Sequence, residues 1–107
     1  MISKELLSEV LGEKVRSVHG AFNNIHFWVE DDEKCYTINI HELAFKVKEW
    51  AMDNMYSVKS ELFRNGRGFA SLEARTAGLE NKNFEAETEP EAIFKAGQWI
   101  LENRGST

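Results

Sequence analysis

Apolar and polar positions recur along this chain with two periods, and each change of period marks an element. Leu6, Leu7, Val10 and Leu11 fall on one helical face, behind Ser3 and ahead of Gly12. That spacing predicts a helix over 4–11, with Ser3 as its N-cap and Gly12 as its stop. Ile2 and Leu7 stand where a hydrophobic staple needs them. From residue 14 the period shortens to two, predicting strands over 14–21, 25–30 and 35–38. Asn23-Asn24 is the expected tight turn between the first two, since Asn tolerates positive φ, and the polar run 31–34 is the second turn. Ile25, Phe27 and Val29 then point to one face while His26, Trp28 and Glu30 point to the other; Tyr36 and Ile38 alternate with Cys35 and Thr37.

The helical period returns over 40–54, where Leu43, Ala44, Val47, Trp50 and Ala51 form a stripe and Phe45 and Met52 lie beside it. Alternation resumes at Tyr56, Val58 and Leu62; NGRG (65–68) turns the chain into a strand over 69–76, and 78–83 is a loop. A short extended piece, 84–87, leads into a last helix ending at 103. Ala92, Ile93, Ala96, Gly97, Trp99 and Ile100 give that helix a wide apolar face, with only Glu91, Lys95, Gln98 and Glu102 as a polar stripe. Residues 104–107 are expected to fray.

The two long helices align without gaps at one constant offset: Asn39 with Thr88, Glu42 with Glu91, Phe45 with Phe94, Lys46 with Lys95, Trp50 with Trp99, Asn54 with Asn103. Each begins with a good cap followed by Glu at capping-box spacing, and Pro90 sits in the first turn, where its missing N–H breaks no bond. The chain therefore reads as one domain, 1–107: an N-terminal helix (3–12), a strand-and-helix unit (14–54) and a second such unit (55–103). The predicted fold class is α+β, with an antiparallel sheet of five or six strands carrying the two similar helices on one face. Its core draws on Ile25, Phe27, Val29, Tyr36, Ile38, Val58, Leu62, Ala70 and Leu72.

Composition supports a folded chain, with 42% hydrophobic and 29% charged residues among 107. A net charge of -5 argues against general affinity for nucleic acid backbone or anionic membrane. The N-terminal stretch has no apolar run suited to a signal peptide, and no segment approaches the roughly 20 apolar residues that span a bilayer. A single cysteine favours a reducing compartment, so the expected location is cytoplasmic.

Chemistry is sparse. His19, His26 and His41 show no ligand spacing, so neither a metal nor another cofactor is expected. Cys35 reads as a buried, inert residue rather than a nucleophile. No phosphate loop, nucleophile elbow or calcium loop is present, and the chain is read as a non-enzyme. RGFASLEA (67–74) begins like the octamer of RNA-recognition sheets but has Ser71 and Ala74 where stacking aromatics belong. Glu85, Glu87, Glu89 and Glu91 read as helix-start and edge-strand acids. What remains is the sheet face opposite the helices, where alternation collects His26, Trp28, Lys59, Glu61, Phe63, Phe69, Glu73 and Arg75: aromatics among charges of both signs. A protein partner fits this mixture better than nucleic acid; the alternative uses Trp28, Phe63 and Phe69 with Lys59, Arg64, Arg67 and Arg75 on RNA or DNA. Monomer and homodimer both remain open.

The segments ETEPEAIFKAGQWILEN and NIHELAFKVKEWA resemble the closing and middle helices of small bacteriophage and prophage α/β proteins. The resemblance covers about a third of the chain. It implies a phage-type origin and an accessory role, such as binding a host or phage protein, and brings no catalytic residues with it.

Overall fold

Local signals start and stop the helices. Ser3 Oγ accepts the Leu6 N–H at 3.1 Å, and Gly12 closes α1 (Lys4–Leu11) with φ 70°. Asn39 Oδ1 accepts from His41 and Glu42 N–H at 2.9 and 3.4 Å to open α2 (Ile40–Asp53). Thr88 Oγ1 accepts from Glu91 N–H at 3.3 Å to open α3 (Glu89–Asn103). Only this half of each capping box forms. Among the described residues neither glutamate returns a bond to its cap amide, and Glu91 instead takes the Met1 ammonium at 2.9 Å.

The computed structural model describes residues 1–104, and of the expected frayed tail 105–107 lie outside them. Arg104 does not fray: it pairs with Glu9 at 2.5 Å and lies over the Trp50 ring, 5.6 Å from its centroid. The strands are β1 (Val15–Ala21), β2 (Asn24–Val29), β3 (Cys35–Asn39), β4 (Tyr56–Leu62), β5 (Gly68–Ala74) and β6 (Lys82–Ala86).

The fold is α+β, but the expected single sheet of five or six strands is two three-stranded antiparallel sheets, β1-β2-β3 and β4-β5-β6. Among the described residues every strand pairs only with its neighbours in sequence. The one connection that is not a hairpin runs from β3 through α2 to β4, and a crossover of that kind closes a sheet by joining strands in parallel. Here it leaves the two meanders apart. The helices bridge them: α3 lies over β5, β6 and β4, α2 packs between α3 and β4, and α1 lies against β1, α2 and α3. The helix pair is therefore not carried on one face of a common sheet. The Cα envelope, 43 × 37 × 17 Å, is a thin slab.

The core sits where the three helices meet. Ile2, Leu6, Leu7, Leu43, Val47, Leu72 and Ile100 are its largest fully buried side chains. Gly97 makes the junction possible, because a Cβ there would meet Val47 Cγ1 at 2.8 Å and Leu6 Cδ2 at 3.0 Å. The predicted α2 stripe is buried as a set, with Phe45 and Met52 exposed beside it. Ile25, Phe27, Ala70 and Leu72 are core as expected, and Val29, Tyr36, Ile38 and Val58 pack partly buried against it. Leu62 is not core: at the end of an edge strand it is 64% exposed.

Two further expectations are corrected. The β1–β2 turn is Phe22-Asn23, with Ala21 opposite Asn24, and Phe22 rather than an asparagine takes the positive φ of 58°. Cys35 is exposed, because the alternation that turns Tyr36 and Ile38 inward turns Cys35 outward. No helix among the described residues is long and apolar enough to cross a membrane.

Candidate functional site

The outer face of the second sheet collects six of the eight residues expected on one open face. In β5 the inward side chains Ala70 and Leu72 are buried under α3, which leaves Phe69, Ser71 and Glu73 facing away. The register sets Glu61 opposite Phe69, Lys59 opposite Ser71 and Ser57 opposite Glu73. Phe63 follows β4 in a turn closed by its own N–H to the Arg67 carbonyl at 2.8 Å. That turn brings the Phe63 ring to Phe69, with centroids 5.9 Å apart and planes tilted by 33°. Both rings are half-buried, held against each other and open on their outer side.

Charges flank the phenylalanine pair, and most of the cations already have partners. Lys59 Nζ meets Glu73 at 3.1 Å and Arg67 Nε meets Glu85 at 2.8 Å. Arg75 donates to Ser57 Oγ and reaches Met52 Sδ, each at 3.3 Å. The acid at residue 85 thus has a specific contact as well as its place on an edge strand.

His26 and Trp28 are not on this face. They lie on the outer face of the first sheet, so the separation of the sheets divides the expected patch into six residues and two. There Trp28 stands between Ser17 and Cys35, and His26 between His19 and Thr37, with His26 Nδ1 2.8 Å from Thr37 Oγ1.

Two features escaped the sequence reading. One is a cleft of about 200 Å³ between α2, β4 and the start of α3, where Lys48 Nζ donates to Ser60 Oγ at 2.7 Å and Ser60 donates to Glu89 Oε2 at 2.5 Å. Its members come from three distant segments, and no spacing in the sequence joins them. The Ser60 hydroxyl is engaged on both sides, so it ties the two helices to the sheet and presents no free nucleophile. The other is the turn before β3. Tyr36 OH donates to Asp32 Oδ2 at 2.7 Å, and the Lys34 N–H donates to Oδ1 at 2.8 Å. The Tyr36 bond, then the Lys34 amide, hold the Asp32 carboxyl below the usual range, and the same carboxylate pushes the Tyr36 phenol up. Asp followed by a turn and an aromatic four positions on was the available signal.

Among the described residues no group of three or more His, Cys, Asp or Glu side chains is placed to hold a metal ion. Comparison with protein-family models, curated proteins and solved structures gives no match.

Proposed function

We propose that this chain is a small non-enzymatic binding protein that offers the outer face of its second sheet to a protein partner. The observation that carries the reading is the Phe63–Phe69 pair, tilted ring to ring on an open sheet and rimmed by the ion pairs Lys59–Glu73 and Arg67–Glu85. Aromatics at the centre with polar groups around them is the composition of a contact surface. Nucleic acid suits the same face less well, because phosphate binding draws on cations free to replace counterions, and here Lys59 and Arg67 are matched by carboxylates. The resemblance of the two helices to those of small phage proteins supports an accessory role directed at a host or phage protein, and the single cysteine supports a reducing, cytoplasmic setting.

The test is quantitative capture from nuclease-treated bacterial lysate with the wild type, a Phe63→Ala/Phe69→Ala double variant, and Phe45→Ala as an exposed aromatic control on α2. A protein retained by wild type and Phe45→Ala but released by the double variant supports the reading. Equal retention by all three overturns it. Retention that appears only without nuclease, and falls steeply with salt, would transfer the face to nucleic acid.

A further inference from the structure

We propose that His19 and His26 form a two-imidazole site for a divalent transition-metal ion on the outer face of the first sheet. The sequence shows no ligand spacing because the two residues lie on different strands, and the Phe22-Asn23 turn brings them level. The register pairs His19 directly with His26, and both side chains point away from the core side occupied by Ile25 and Phe27. Directly opposed residues place their Cβ atoms about 4.5–5.5 Å apart, which lets two imidazoles converge on one ion at about 2.0–2.1 Å from each nitrogen.

The surroundings favour a cation. His26 Nδ1 lies 2.8 Å from Thr37 Oγ1. With Nδ1–H donating to that hydroxyl, the Nε2 lone pair is left for a metal, which is the outer support that ligating histidines ordinarily have. The neighbours on the face are Ser17, Trp28, Cys35 and Thr37, none of them cationic, and the nearby Arg16 turns its guanidinium to the Asp32 carbonyl at 3.4 Å. With no third His, Cys, Asp or Glu ligand in place among the described residues, the remaining coordination positions are open to water or to a donor from another molecule. Imidazole pairs bind copper(II) more tightly than nickel(II) or zinc(II), so copper is the sensitive probe and zinc the competitor.

The experiment is titration of the purified protein with copper(II) alone, read by calorimetry and by the NMR signals of its three histidines. One ion should bind per chain, with His19 and His26 resonances broadened together while His41, on α2, is spared. His19→Gln or His26→Gln should each weaken binding at least about tenfold, since two-point attachment becomes one-point. His41→Gln should leave binding unchanged, and Thr37→Val should weaken it less than loss of either imidazole. All four positions are at least partly solvent-exposed, and circular dichroism checks that each variant is folded. Copper that binds equally to wild type and His26→Gln, that broadens His41 first, or that does not bind at millimolar concentration overturns the proposal.

Discussion

A Cβ on Gly68 would stand 2.2 Å from the backbone nitrogen and Cα of Glu89. The first turn of α3 rests directly on β5, and the only residue that allows it is the glycine of RGFA. This accounts for that tetrapeptide without RNA. Backbone atoms cannot rotate aside as a side-chain end can, so Gly68→Ala must push the start of α3 off the sheet, with the buried Pro90 and Ala92 behind it. The expected loss is about 3 kcal/mol by urea denaturation. Gly66→Ala is the control: its φ of 89° is costly for alanine, but nothing lies within 4 Å, so it should lose only about 1 kcal/mol. A Gly68→Ala cost no larger than the control would show that the close contact is not rigid.

Gly97 presents the softer case. Here the methyl of an alanine would meet the ends of side chains, Val47 Cγ1 at 2.8 Å and Leu6 Cδ2 at 3.0 Å. Alanine gains about 1 kcal/mol in helix propensity over glycine, against roughly 1–3 kcal/mol for overpacking. Val47 is β-branched and buried, so it cannot turn away cheaply, and Gly97→Ala in the wild type should be destabilising. In a Val47→Ala background the same substitution should stabilise, because the new methyl enters the vacated space. A double-mutant cycle checks this, and additive effects would mean that the two sites do not share that space.

The helices were legible because their signals are local: Ser3 and Gly12, Asn39, Thr88 and Pro90 act within one turn. Sheet membership was not, since nothing near β3 or β4 states whether their edges meet across a helix. One residue of turn placement had the largest consequence. A turn at Asn23-Asn24 would set His19 opposite Trp28, whereas the turn at Phe22-Asn23 sets it opposite His26. The preference of asparagine for positive φ pointed to the first; the pairing of Gly20 with Ile25 on the inner side, where Met1 Sδ presses on Gly20, accompanies the second. Of the open face, Phe63, Phe69 and the charges around them followed from alternation within one hairpin. Their separation from His26 and Trp28, and the Lys48–Ser60–Glu89 line, depend on contacts between distant segments.

The caps give an additive prediction. Asn39 serves two amides and Thr88 one long bond, so Asn39→Ala should cost about 1–2 kcal/mol and Thr88→Ala nearer 0.5–1 kcal/mol. Glu42→Gln should change stability by no more than a few tenths of a kcal/mol, the scale of the dipole effect at an exposed first turn. Thermal or urea unfolding measures all three. A large loss in Glu42→Gln would mean that the carboxylate charge does more at the first turn than the helix dipole accounts for.

Asp32 and Tyr36 confer a pH window. The folded Asp32 carboxyl titrates below its ordinary value of 3.8, so its contribution is present above that value and is lost as pH falls through the folded pKa. The Tyr36 phenol titrates above 10.0, so its contribution is present below 10.0 and is lost as pH rises through the folded pKa. The stability difference between wild type and Tyr36→Phe should therefore be flat between roughly pH 5 and 9 and shrink beyond either end. In Tyr36→Phe, the Asp32 carboxyl, followed by NMR, should titrate closer to 3.8. An unmoved Asp32 titration would show that the hydroxyl does not hold it.

Phe22 combines two costs that a stable fold alone would not select. It occupies the left-handed region at φ 58°, and its side chain is fully exposed at the tip of the first hairpin. A bulky residue there costs about 1–2 kcal/mol relative to glycine, part of which returns because glycine is more flexible when unfolded. Phe22→Gly should therefore raise stability by up to about 1 kcal/mol, read from the urea midpoint at unchanged slope. It should also keep the register, so the His19–His26 pairing seen in backbone amide shifts and copper binding should persist. A stabilised Phe22→Gly that retains partner less well in the capture experiment would mark the strained tip as part of the contact surface. If retention is instead unchanged, partner contact rests on the second sheet alone, and a loss of stability would mean that the Phe22 backbone is not strained in solution.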